Sequence, residues 1–359
     1  MIGDGESPHL LKWARALAGT EGVELWVASS RGFAPGFDGV IPAGRRLALQ
    51  TRPKHAGGNA RVLAQLPRLG AWLRRVDADW LHAHYLTSHG TLAWLAKRLF
   101  GLRARIVGSA WGSDILLTPL RSPAARWLTR AVLRACTLAT SDSAHMAERM
   151  RELGAREVMV FPFGLERLPP EPAAKDPFLF FANRGLEALY RPERVLQLFA
   201  AVAASWPSAR LVVANDGSLA ATLPPLAANL GLRVGELRRG SQVEFVGRID
   251  SEAQDRWYAN AQWYLSLPSS DSAAVSVLEA MGHGCIPVLS DLPANRELVQ
   301  DGENGLIVPD HGFDPSSLLA LAAHAERIAQ QNRAWVAQHG LFAPAVAQFI
   351  ARLRQLDGP

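Results

Sequence analysis

The stretch PSSDSAAVSVLEAMGHGCIPV, residues 268–288, holds the densest set of groups that could do chemistry. Asp271 and Glu279 are separated by seven residues, and Ser269, Ser270, Asp271 and Ser272 stand where side-chain oxygens would cap a helix expected from about 273 to Gly282. The free backbone N–H groups of such a helix start, with Ser272, Ala273 and Val275 around it, make an anion site. Glu279 falls among Val275, Leu278 and Met281, on a helix that is apolar on nearly every side. Burying an unpaired carboxylate is costly, so Glu279 must meet donors: neighbouring backbone, an arginine, or the two hydroxyls of a sugar or ribose diol. Elsewhere LHAHYLTSHG (81–90) collects His82, His84 and His89 at one strand end. Three histidines suggest a metal, but a site needs matching directions and a carboxylate or thiol, so none is expected. Gly3 and Gly5 precede Ser7-Pro8-His9 at what reads as a first strand-to-helix turn, where small residues let backbone approach a phosphate or a sugar.

The elements that must position these groups alternate between strand and helix. Apolar runs at 23–29, 79–85, 104–110, 138–143 and 158–164 are separated by amphipathic stretches, and a second series follows at 178–184, 209–216, 243–249, 262–269 and 286–291. Strands alternating with helices imply parallel sheets covered on both faces. Between the two series, Pro169, Pro170, Pro172 and Pro177 interrupt regular structure. The expected organisation is α/β: a Rossmann-like doubly wound domain over 1–165, a linker over 166–177, a second such domain over 178–335, and a helical segment over 336–359 that packs back on the first. Ligands belong at the carboxyl ends of the strands and in the cleft between facing domains. Only Met1 and Ile2 precede Gly3, so the first strand is either stunted or begins upstream of this sequence.

The segment 268–310 resembles the donor-binding signature of the retaining glycosyltransferases of family four, which have the GT-B fold of two such domains around a central cleft. EAMGHGCIPV (279–288) and ENGLIV (303–308) carry the likeness further, and it extends across both domains. The resemblance implies that Asp271, where the family usually has Glu, holds hydroxyls of the transferred sugar and that Glu279 holds the ribose of the nucleotide. It implies that Arg184, in FFANRGLEALYRPERVLQLF (180–199), grips the diphosphate. Some six residues on, where the family has Lys, stands Tyr190, and the neighbouring Arg191 takes the second cationic role. LVVANDGSL (211–219) resembles the family's turn after the next strand, and Arg248 in VEFVGRI neighbours base or phosphate; Gly5, by the smallness of its own turn, is a further candidate to approach the phosphate or a sugar. His84 is implied as a polar group lining the acceptor cleft, with His82 packed inside. Trp111 occupies a position where many relatives carry a His that contacts the reacting sugar; it offers an apolar wall, and Asp114 a local carboxylate. The same resemblance implies transfer from a UDP- or GDP-linked sugar to a hydroxyl with retention of configuration. Arginine and backbone dipoles then replace a divalent metal, and no resident cofactor is needed.

Composition bounds these readings. The 359 residues are 48% hydrophobic and 20% charged, as expected of a packed fold with about two domains. There is no apolar run of spanning length and no basic-then-apolar leader, and Cys136 and Cys285 lie far apart, so a reducing cytoplasm fits. Residues 1–165 carry 22 Lys and Arg against 12 Asp and Glu, while the remainder carries 16 against 21. The basic half seeks an acidic partner. Nucleic acid is not expected, because no aromatic-rich basic module appears. An anionic membrane is the better candidate, since RVLAQLPRLGAWLRRV (61–76) and SPAARWLTRAVLRA (122–135) mix Leu, Val and Trp with Arg at helical spacing. With the family's habits, this points to a glycan or lipid-linked acceptor at the inner face of the membrane. Two other readings stand beside it: a nucleotide-sugar epimerase on the same architecture, and a non-catalytic partner subunit of this fold.

Overall fold

The computed structural model of the chain describes residues 1–51, 60–171 and 174–358. It divides into two compact units, Met1–Phe161 with Ala343–Pro359, and Pro162–Phe342.

The first unit is built on seven strands: β1 (Ile2–Gly3), β2 (Val27–Ser29), β3 (Arg46–Ala48), β4 (Trp80–His84), β5 (Arg105–Ser109), β6 (Leu138–Ser141) and β7 (Val158–Val160). Their order is β3-β2-β1-β4-β5-β6-β7, and every pairing is parallel. β1 is as short as expected, yet it sits mid-sheet, with Ile2 registered against Ala28 on one side and Ala83 on the other. Two residues suffice there because both neighbours supply backbone partners. The sheet order reverses between β1 and β4, the place where sheets of this kind usually bind ligands. Trp13, on the helix Pro8–Ala18, is fully buried and meets Phe349 edge-on at 5.3 Å. Phe349 belongs to the last helix, Phe342–Asp357, whose Arg352 pairs with Glu157 at 2.6 Å and whose Asp357 accepts a hydrogen bond from Trp80 Nε1 at 3.1 Å.

The second unit holds β8 (Asp176–Ala182), β9 (Arg210–Ala214), β10 (Val243–Gly247), β11 (Ala261–Ser266), β12 (Ile286–Ser290) and β13 (Leu306–Val308). The order is β10-β9-β8-β11-β12-β13, again all parallel, with its reversal between β8 and β11. Both faces are covered, so the strands read as continuous apolar runs. Phe180 stacks on Trp263 at 5.6 Å, and Phe199 closes on Phe180 edge-on at 5.5 Å.

Three expectations need adjustment. The compact units part after Phe161, four residues before the expected boundary at 165. The segment 166–177 is not a free tether: β8 starts within it at Asp176, and Lys175 donates to the carbonyls of Tyr258 at 2.8 Å and Ala261 at 2.9 Å; Pro172, part of the same expected linker, lies outside the described residues. The terminal helical segment does not begin at 336, because residues 336–339 finish the helix Ala325–His339 of the second unit and a new helix starts at Phe342. β3 and β13, three residues each, escaped the apolar-run reading.

Candidate functional site

At the reversal point of the second unit, β8 delivers Asn183 and Arg184, and β11 delivers the loop that leads to the helix Val275–Gly282. Arg184 Nη2 meets Asp271 Oδ2 at 2.7 Å, its Nη1 donates to Ser276 Oγ at 3.1 Å, and its guanidinium lies 4.5 Å from the centre of the Tyr190 ring. Burial works against the Arg184 charge, but Asp271, Tyr264 and Tyr190 more than offset it and hold the pKa above its ordinary value. Burial also raises the Asp271 carboxyl, against the pull of Arg184. The Asp271 carboxylate is engaged by Arg184 and by Ser272 N, and each of its oxygens has a second lone pair with which to accept from a hydroxyl.

The helix start differs from expectation. The N-cap is Ala274, in extended backbone with no side-chain cap, and the helix begins at Val275 rather than 273. The oxygens expected as caps are committed elsewhere: Asp271 Oδ1 accepts from Ser272 N at 3.0 Å, and Ser269 Oγ donates to Leu189 O at 3.2 Å. Leaving the first N–H groups uncapped by side chains, with Arg184 one hydrogen bond away on Ser276, makes this end of the helix a fitting anion seat.

Glu279 is half-buried and meets protein donors. Gln254 Nε2 donates to Glu279 Oε2 at 3.1 Å, and the Tyr258 hydroxyl lies 3.2 Å from the same oxygen. Tyr258 is fully buried, and burial, then Tyr264 and Glu279, push its pKa well up, so it stays protonated, its one proton shared between Glu279 Oε2 and the Ser276 carbonyl at 3.1 Å. Asn183 Nδ2 donates to Tyr258 Oη at 2.8 Å and to Gln254 Oε1 at 3.0 Å, while Tyr264 Oη donates to Asn183 Oδ1 at 2.8 Å. The residue next to Arg184 is thereby tied into the set that orients Glu279. Sequence reasoning missed Asn183, Gln254 and Tyr258; the only signal was a polar Asn closing an otherwise apolar strand.

Arg191 has a different place from the one expected. In left-handed backbone (φ 48°), it donates from Nε to Leu267 O at 2.8 Å and from Nη2 to Pro268 O at 2.7 Å, and pairs through Nη1 with Asp310 at 2.9 Å. Ser269 N donates to Leu189 O at 2.9 Å beside it. Arg191 therefore staples the loop after β8 to the loop after β11. Arg248 is exposed at the end of β10, two strands from β8, without a hydrogen-bond or ion-pair partner among the described residues. A small recess, lined in part by Arg184, Leu186, Tyr190, Phe245 and Leu265, opens beside Arg184. The structure thus gathers Arg184, Asp271, Ser272, Ala273, Val275 and Glu279 at one reversal point, with Arg191 bracing its loops.

The reversal point of the first unit is filled by protein. A Cβ on Gly5 would lie 2.4 Å from Gly32 O and 2.8 Å from Ser29 Oγ, so the glycine is required by loop packing. His84 does not present a polar surface: it is 4% exposed, 4.2 Å from the His82 ring and flanked by Trp13 at 5.5 Å and Trp111 at 6.0 Å. Neither of its ring nitrogens has a hydrogen-bond partner among the described residues. Burial, then the neighbouring His82, push its pKa well below the ordinary value. Burial likewise pushes His82 down to about 3, with its Nε2 2.7 Å from Ser109 Oγ. His89 turns away, its Nδ1 2.6 Å from His84 O and its Nε2 2.9 Å from Ser30 Oγ. Asp114 is fully buried and accepts from Leu86 N at 2.8 Å and Trp111 N at 2.9 Å; burial raises its pKa to about 6 against those bonds. It braces two strand-end loops and is not presented to a ligand.

Comparison with known proteins divides the chain at residue 166, beside the boundary expected from the sequence and a few residues past that of the compact units. Residues 4–166 match the family described as Glycosyltransferase Family 4, and residues 166–338 the family described as Glycosyl transferases group 1. N-acetyl-alpha-D-glucosaminyl L-malate synthase of Bacillus anthracis is 25% identical over 259 residues, 68% of this chain and 65% of that protein. The match thus spans just under two thirds of that relative. Among solved structures, sucrose-phosphate synthase of Thermosynechococcus elongatus superposes with a TM-score of 0.77 over 99% of this chain and 94% of its own at 16% identity. HepE of Anabaena in complex with UDP-glucose gives 0.74 over 98% and 99% at 14% identity. At these identities the likeness is one of fold, and the fold is GT-B.

Proposed function

The chain belongs to the group 1, family four glycosyltransferases, and on that premise we propose that it moves a hexosyl group from a UDP- or GDP-linked sugar to a hydroxyl of a glycan or lipid-linked acceptor, with retention of configuration. The observation that carries this reading is the grouping of Arg184, the side-chain-free helix start at Val275, Asp271 and Glu279 around the β8/β11 reversal point. In this reading the diphosphate lies between Arg184 and the helix start, Asp271 accepts from hydroxyls of the transferred sugar, and Glu279 accepts from the ribose. The bond from the anomeric carbon to the phosphate oxygen breaks, and its electron pair stays on the diphosphate. The acceptor oxygen bonds to the same face of that carbon, and its proton passes to the departing phosphate oxygen. Arg184 and the helix start stabilise charge as it develops on the leaving group, the contribution that lowers a barrier rather than merely tightening binding. They take the role a divalent cation plays elsewhere, so turnover in this proposal survives chelation. The likeness to HepE, solved with UDP-glucose, supports a nucleotide-sugar donor.

The positive balance of residues 1–165 supports an acceptor held at an anionic membrane, at its inner face. The test is calorimetric titration with UDP and GDP, wild type against Arg184→Ala. One nucleotide should bind, and the variant should bind it about 10- to 100-fold more weakly, the value of a lost charge-assisted hydrogen bond. Heat with neither nucleotide would sink the reading. Tight binding without transfer from any donor sugar would favour the non-catalytic subunit, and release of an isomerised sugar from donor alone would favour the epimerase.

A further inference from the structure

We infer that the helix Pro123–Ala135, with the turn before it and the end of the helix Thr91–Phe100, is a docking surface for an anionic lipid bilayer. This rests on and deepens the membrane part of the proposed function. Two helices offered the required mixture of Leu, Trp and Arg, and the structure separates them. The helix Leu66–Val76 turns Leu66, Leu69, Trp72 and Leu73 into the core and leaves Arg68, Arg74 and Arg75 outside, a charged face with nothing to insert. The other helix keeps apolar groups outside. Trp127 is 64% exposed and Leu120, just before it, 69%, while Leu99 on the neighbouring helix is 63% exposed. These are the three most exposed large apolar side chains among the described residues. Trp127 is supported edge-on by Trp94 at 6.3 Å, so the ring is held outward by packing rather than left to swing.

Charge selects the occupant. From Trp80 to Ser141 the chain carries eight Lys and Arg and a single acidic residue, Asp114, which is fully buried. Arg98, Arg126 and Arg134 are exposed on the same two helices, and Trp127, Arg130 and Arg134 share one helix face by their spacing of three and seven. Exposed Trp and Leu accompanied by exposed arginine fit a surface that is anionic at its headgroups and apolar beneath. A nucleic acid duplex would satisfy the arginines but offers no apolar layer to the two leucines. Among the described residues no helix is long and apolar enough to cross a membrane, so the association proposed is peripheral.

The experiment is flotation of the full chain with vesicles of phosphatidylcholine alone and of phosphatidylcholine with phosphatidylglycerol, without nucleotide and at 100 mM salt, where the Debye length is about 10 Å. The chain should float with the anionic vesicles at least tenfold more than with the neutral ones. Leu120→Ser with Trp127→Ser, and separately Arg98→Gln with Arg126→Gln, should each reduce that binding at least tenfold while nucleotide binding by the second unit is unchanged. Undiminished flotation of the Ser variant, equal indifference to both vesicles, or tighter binding to a DNA duplex than to vesicles would overturn the inference. Nucleotide binding, read in parallel, distinguishes that failure from failure of the transferase reading.

Discussion

Acid should weaken the first unit through its buried histidines, and the size of the effect can be worked from the structure. His82 is neutral in the fold because burial holds its pKa at about 3, whereas the unfolded chain titrates it near 6.5. The unfolded state therefore takes up a proton as pH falls below 6.5 and the folded state does not until about pH 3. Stability is full above the unfolded value and is lost progressively between the two. At pH 5 the deficit is about 1.5 pH units at about 1.4 kcal/mol each, roughly 2 kcal/mol from His82 alone. His84 is lowered too, chiefly by burial, and adds in the same direction. Asp114 opposes them: its pKa of about 6 in the fold exceeds the ordinary 3.8, so acid favours its folded form and returns about 1 kcal/mol by pH 5. Comparing wild type with His82→Gln cancels the Asp114 contribution. Urea unfolding of the first unit at pH 7 and pH 5, read by hydrogen exchange of the backbone around Trp13, whose ring lies 4.8 Å from that of His82, should show the variant losing about 2 kcal/mol less than wild type between the two pH values. Equal losses in the two proteins would refute the reasoning.

Two further outcomes are expected in the second unit. Tyr258→Phe removes one donor from Glu279 Oε2 while keeping the ring; steady-state kinetics should show KM for the donor raised about 3- to 10-fold with kcat nearly unchanged, the mark of a positioning residue. Arg191→Ala breaks two hydrogen bonds to loop carbonyls and an ion pair, and should cost about 1–3 kcal/mol in urea unfolding of the second unit. A contact made only to bound diphosphate would weaken nucleotide binding and leave that unfolding curve in place.

The sequence was most informative where chemistry is local. Asp271 and Glu279 lie on one strand-loop-helix segment, whereas Arg184, 87 residues before Asp271, was pointed to only by the family resemblance. The set that orients Glu279 was illegible because Gln254 and Tyr258 sit 25 and 21 residues before it, on another helix, and Asn183 comes from another strand. Only the parallel crossovers bring them together. Arg191 was misplaced for a backbone reason: its left-handed φ turns the guanidinium toward the carbonyls of residues 267 and 268, and residue type does not announce such a conformation. β1 was read as short but not as central, since centrality depends on Ala28 and Ala83 closing on either side. His84 looked like a cleft residue because polar residues at strand ends often are; Trp13 and Trp111 around it decided otherwise.

The last helix gives the first unit a discontinuous sequence. Phe349 packs on Trp13 and Arg352 on Glu157, so contacts made by the earliest-synthesised lobe wait for some of the latest residues to leave the ribosome. The second unit has its own chain complete before then and can finish folding while its predecessor is still unsealed. A gene cut near codon 161 would yield a first lobe with Trp13 uncovered on one flank, prone to self-association, whereas supplying the final helix in trans should restore its solubility.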